Sequence, residues 1–139
     1  MNVVDEILAR RNCGSVHCGI SSKAHPALAD LAREFGLADD PALYRQIDSA
    51  AARRLLERIL HQDLAYDSEV MPIDEASDLA GRFMAYFETV DTLYYTNGTF
   101  HELQRNGTSW NPVTEATFDT GVLAISAERA GCLWVEDED

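Results

Sequence analysis

At 139 residues, 46% hydrophobic and 25% charged, the chain is sized for one ordinary domain with a sizeable core, and its composition is not that of a disordered protein. Its 24 acidic against 11 basic residues give a net charge of -13, which makes nucleic acid and anionic lipid poor partners and a cationic protein or a divalent metal attractive ones. No apolar run approaches the roughly 18 residues of a membrane span, and the first turn, with Asp5 and Glu6, lacks the basic and apolar regions of a signal peptide.

The charge is unevenly placed. Residues 1–61 hold eight acids and eight bases, whereas residues 62–139 hold sixteen acids and only Arg82, Arg105 and Arg129. The whole excess therefore lies in the second half, which favours a binding face over a surface that merely confers solubility. Cys13, Cys18 and Cys132 make an odd set that no intramolecular disulfide framework uses up, so the expected home is a reducing cytoplasm.

Val3, Val4, Ile7 and Leu8 repeat at helical spacing and predict a first helix ending near Arg11-Asn12. The stretch Cys13-Gly14-Ser15-Val16-His17-Cys18-Gly19 holds half of a zinc ligand set. Its spacing is not that of a zinc knuckle, and Cys132 or a remote histidine would have to complete it. It reads as a loop with two small, metal-free thiols. After Pro26, the residues Leu28, Leu31, Ala32 and Phe35 mark a second helix that Gly36 caps.

Asp39-Asp40-Pro41 reads as the start of a third helix reaching about residue 60. Tyr44, Ile47, Ala51, Leu55 and Ile59 form its inner face, and Arg45, Arg53, Arg54 and Arg58 its solvated face. A polar connection runs from Asp63 to Met71. Pro72 then opens a helix to about Glu88 that presents Ala76, Leu79, Ala80, Phe83 and Phe87 to the core.

From Thr92 the period changes. Leu93-Tyr94-Tyr95-Thr96 is rich in strand formers, Asn97-Gly98 is a hairpin signal, Thr99 to Leu103 is the expected return, and Asn106-Gly107 is a second turn. Gly121–Ser126 and Gly131–Val135 read as two apolar strands joined across residues 127–130. The expectation is a single α+β domain with helices in 1–90 and an antiparallel sheet in 91–139. That sheet has about four strands, five if Ser109-Trp110 pairs, with the helices on one of its faces. The Asn-Gly-Thr sequons at Asn97 and Asn106 read as turns rather than glycan sites.

No phosphate loop, nucleophile elbow or metalloprotease motif is present, and His17, His25, His61 and His101 stand apart in sequence. No catalytic residue, metal ligand or cofactor is assigned. Asp119 and the run Glu136-Asp137-Glu138-Asp139 suit magnesium by ligand type, but a terminal run holds octahedral geometry poorly, and solvated tail charge is the plainer reading.

The segments Trp110-Asn111-Pro112-Val113-Thr114, Phe118-Asp119-Thr120-Gly121-Val122 and Leu133-Trp134-Val135-Glu136-Asp137-Glu138-Asp139 resemble the end of small acidic immunity proteins. These accompany bacterial polymorphic toxins, including those of contact-dependent growth inhibition. The likeness covers about the last 45 residues, from Tyr94 onward. It implies a cytoplasmic, non-enzymatic inhibitor that binds one cognate toxin domain, often a nuclease. On that reading Tyr94, Tyr95, Trp110, Asp119, Glu136, Asp137, Glu138 and Asp139 form the partner surface, whereas Trp134, inside an apolar strand, belongs to the core. A metal-dependent hydrolase using clustered carboxylates and a non-catalytic adaptor domain are the alternatives.

Overall fold

The computed structural model describes residues 2–102 and 107–139. Its helices are α1 (Val3–Arg10), α2 (Leu28–Glu34), α3 (Ser49–His61) and α4 (Ile73–Met84), the last prolonged by a 3₁₀ turn over Ala85–Phe87. The strands are β1 (Ser15–Ile20), β2 (Arg45–Ile47), β3 (Leu93–Thr96), β4 (Phe118–Ile125) and β5 (Ala130–Asp137). They form one antiparallel sheet in the order β1-β5-β4-β3-β2. The class is α+β, with helices concentrated towards the N-terminus and the long strands towards the C-terminus.

Local chemistry explains the helix boundaries. Asn2 caps α1 by accepting from the Asp5 amide at 2.9 Å, and Asp48 caps α3 by accepting from the Ala51 amide at 2.7 Å. The chain leaves α2 through Gly36, whose φ of 77° lies in the left-handed region that glycine adopts without strain.

Strand alternation divides the sheet between two cores. Val122 and Ala124 of β4 and Leu133 and Val135 of β5 face α1, α3 and α4. Their neighbours Leu123, Ile125, Cys132 and Trp134 face Leu31 and Ala32 of α2, together with Leu37, Tyr44 and Val113. Helices therefore cover both faces, where one covered face was expected.

Three further segments differ from the sequence expectation. The expected third helix over 41–60 is divided: Pro41–Leu43 is a 3₁₀ turn, Arg45–Ile47 is β2, and α3 begins only at Ser49. The Cys13–Gly19 segment is not a loop but contains β1, which lies at a sheet edge beside β5. Asn97-Gly98 makes no two-residue hairpin. Asn97 is buried, Gly98 bridges to Trp110, and Thr99–Glu102 turns rather than returning as a strand. Leu103 and Asn106, the remainder of that expectation, lie outside the described residues. Two of the five strands thus come from the half of the chain read as helical.

Candidate functional site

Four carboxylates of the second half, Asp63, Glu69, Asp137 and Glu138, line a cleft where β5 ends. Glu136 and Asp137 are not tail residues; they are the last two positions of β5, and only Glu138 and Asp139 lie beyond it. Asp137 is 3% exposed and receives both terminal nitrogens of Arg11, itself 2% exposed, at 2.8 Å each. The Leu64 amide adds a third donor at 2.9 Å. Arg11 also donates to the carbonyls of Ile59 and Cys13, at 2.9 and 2.8 Å. One planar guanidinium therefore ties together the exit of α1, the last turns of α3 and the end of the sheet. Asp137 is a structural ion pair and offers nothing to a partner, contrary to its expected place in a solvated tail.

Beside this pair is a cleft of about 450 Å³ whose lining includes Cys13, Asp63, Tyr66, Glu69, Asp137 and Glu138. The connection that forms one wall is held by its own backbone. Asp63 accepts from the amides of Tyr66 and Ser68 at 3.0 and 2.6 Å, and Asp67, at φ 55°, pairs with Arg58 at 2.8 Å. Tyr66 is left 68% exposed at the mouth. Glu138 accepts from the Thr117 amide at 3.2 Å and from its hydroxyl, and Asp139 is exposed. Glu136 lies 2.5 Å from His17 Nε2. Asp63, Tyr66 and Glu69 were not picked out from the sequence. The acidic composition of residues 63–69 was the available signal, but its placement beside β5 depends on the Leu64–Asp137 bond.

Asp119 occupies a different environment from the one expected of a partner-facing charge. It is fully buried, and its carboxylate accepts from Asn97 Nδ2 (2.9 Å), Trp134 Nε1 (3.1 Å), Thr114 Oγ1 (3.1 Å) and the amides of Val113 and Thr114 (3.2 and 3.3 Å). Burial raises its pKa against the pull of these donors, with Trp134 the first of them. Asp119 is the hub that joins β3's exit, the 113–114 turn and the sheet, and its charge is not presented to a partner.

The aromatic residues are likewise turned inward. Tyr94 is 5% exposed in the helical-face core, and Tyr95 lies half-buried on the opposite face of β3, so the two do not share a contact surface. Trp110 stacks between Phe100 and Phe118, at ring-centre distances of 5.1 and 5.4 Å, and its Nε1 has no hydrogen-bond partner. Trp134 is fully buried.

The three cysteines are free. Burial pushes the Cys18 thiol up to about 12 and raises those of Cys13 and Cys132, which keeps all three as thiols rather than thiolates. Among the described residues, no group of three histidines, cysteines or carboxylates is arranged to hold a metal ion. None of the described helices is long and apolar enough to cross a membrane.

Among the described residues, Arg11 and Arg58 are engaged beside the cleft, by Asp137 and Asp67, and several other bases are engaged away from it. Arg82 pairs with Glu6 and Asp78, Arg129 lies over the Tyr86 ring at 5.5 Å, Arg10 pairs with Glu75, and Arg33 with Asp30 and Asp39. The cleft thus keeps an acidic character that its nearest buried base, Arg11, balances only for Asp137. Comparison of the chain with protein-family models, with curated proteins and with solved structures gave no match.

Proposed function

We propose that this protein is an inhibitory binding protein, of the immunity type that neutralises a bacterial toxin domain by covering its cationic surface. The observation that carries this reading is the acidic cleft at the end of β5, where Asp63, Glu69 and Glu138 meet around the exposed ring of Tyr66. A tyrosine beside carboxylates receives the arginine and lysine side chains of a nucleic-acid-binding surface, the ring taking the flat face of the cation and the carboxylates its charge. A toxin that cleaves nucleic acid carries such a surface, because it must hold phosphates. The resemblance of residues 94–139 to immunity proteins points the same way. The hydrolase alternative gains nothing from the arrangement of the carboxylates, since Asp119 and Asp137 are spent on internal hydrogen bonds.

The test is co-expression with the toxin domain encoded by the adjacent gene. The expected result is rescued growth, a stable one-to-one complex on purification, and loss of rescue when Glu69 and Glu138 are reversed to lysine. A toxin domain that binds neither the wild-type chain nor the reversed one sinks the reading.

A further inference from the structure

A second concavity, of about 890 Å³, opens between the first turn of α3, the end of α4 and the paired strands β2 and β3. Ile47, Met84 and Tyr94 line it from the helical-face core, at 8%, 6% and 5% exposure, so its floor is the open end of that core. Asp48 and Glu88, both exposed, bring carboxylates to the lining. Arg53 is the single base among the described lining residues, and Glu57 at 2.8 Å with the Ser77 carbonyl at 2.9 Å already engages it. A mixed polar and apolar lining with two carboxylates at its rim is the complement of a side chain that is apolar along its stem and cationic at its tip.

Tyr94, Trp110 and Trp134 are turned inward, and the exposed Tyr66 projects at the β5 cleft rather than here. Interfaces pair an anchor on one side with a pocket on the other. Here the chain supplies the pocket.

We propose that this groove is a socket for a lysine or arginine side chain on a loop of a cationic protein partner. The stem lies along the exposed Ala50 and Val90 above the buried Ile47, Met84 and Tyr94, and the charged head meets Asp48 and Glu88. The volume exceeds one side chain, so neighbouring residues of the loop enter with it, past the fully exposed Val90. The proposal rests on the reading above in taking the partner to be a cationic protein, but it names a separate contact from the cleft at β5.

The test is a nuclear magnetic resonance titration of the ¹⁵N-labelled full chain with three blocked pentapeptides that differ only at the central residue, which is lysine, norleucine or glutamate. The expected result is saturable movement of the Ile47, Ala50, Glu88 and Thr92 amides with the lysine peptide. Norleucine should bind more weakly and glutamate not at all. Ala50→Trp fills the groove from an exposed position and should weaken the lysine peptide about tenfold or more, as loss of an interface anchor does. Glu88→Lys, also at an exposed position, should reverse the preference between lysine and glutamate, so the test does not depend on Ala50→Trp folding normally. No response in the groove, equal response to lysine and norleucine, or unchanged affinity in either folded variant would overturn the proposal. Movement confined to Asp63, Glu69 and Glu138 would overturn the socket while leaving the acidic-cleft reading intact. Failure of the adjacent-gene toxin domain to bind would do the reverse.

Discussion

The Arg11–Asp137 pair is the clearest case of a residue whose role its charge alone does not reveal. Both partners are sealed from solvent, and every heavy-atom donor of the guanidinium has an acceptor: Nε on Ile59, Nη1 on Cys13 and Asp137, Nη2 on Asp137. Breaking such a pair leaves an unpaired buried charge. Arg11→Met should therefore lower unfolding stability by about 3–5 kcal/mol, whereas the double variant Arg11→Met/Asp137→Leu should recover a large part of that loss. Urea denaturation of the two variants beside the wild type checks both outcomes.

Asp119 yields a prediction about pH. Its folded-state pKa is raised, chiefly by burial, so the folded protein holds the proton more tightly than the unfolded chain does. The stabilising contribution of protonation is thus complete below the ordinary aspartate range and is lost as pH rises through the raised folded value. A carboxyl-carbon titration should place the Asp119 inflection above the roughly 3.9 of an unperturbed aspartate, and an inflection at or below it would contradict the burial argument.

At the scale of elements, the junction of β1 with β5 depends on a residue without a side chain. Gly14 sits at φ 59°, and a Cβ there would fall 2.0 Å from the Glu136 carbonyl oxygen, too close for any relaxation that keeps the register. Gly14→Ala should therefore cost more than the roughly 1 kcal/mol of an ordinary left-handed glycine replacement. Amide hydrogen exchange should show the loss as faster exchange in β1 and the end of β5 rather than in α3.

How much of these elements could be read from the sequence varied for physical reasons. α4 was legible from its helical period, and the centres of β4 and β5 as continuous apolar runs, since both their faces are buried. β4 already begins at Phe118, however, and β5 runs on through Asp137. β2 was not. Tyr44, Ile47, Ala51 and Leu55 are spaced at threes and fours, so a helix-like stripe continues unbroken through a turn and a strand, and Asp40-Pro41 gives a cap signal ahead of the true cap, Asp48. In β1 the alternation of Val16, Cys18 and Ile20 was present, but the cysteines and histidine drew attention to ligand spacing instead of to period.

For the whole molecule, the functional consequence lies in where the excess charge is exposed. Internal pairing takes up Asp119 and Asp137, His17 partners Glu136, and Asp63 accepts two amides of its own connection, which leaves Glu69, Glu138 and Asp139 as the exposed carboxylates near the β5 cleft. Exposed charges of this kind act mainly on encounter, and their reach falls to about 8 Å at physiological salt. Replacing Glu69, Glu138 and Asp139 by their amides should slow association with a cationic partner several-fold at low salt. It should leave the dissociation rate nearly unchanged, and the difference from wild type should shrink as salt is added. Stopped-flow binding at two ionic strengths separates these effects. The sequence showed which half carries the charge. It did not show which carboxylates face outward, because that depends on which side chains the fold brings to them: Arg11 to Asp137 from 126 residues away, and Trp134 and Asn97 to Asp119 from neighbouring strands.

The strand order has a further consequence, for time rather than structure. β5 lies between β1 and β4, yet β1 is synthesised well before β5, and Arg11 and Asp137, which fasten them, are 126 residues apart. A nascent chain therefore carries β1 without its strand neighbour until β5 has emerged. The local β4–β5 hairpin, closed through Ser126 and Arg129, has the entropic advantage of forming first and offering β1 its template. Such long-range closure makes folding slower than that of a helical bundle of similar size. Until it is complete, Val16, Cys18 and Ile20 are open to pairing with another copy, so refolding yield should fall as protein concentration rises.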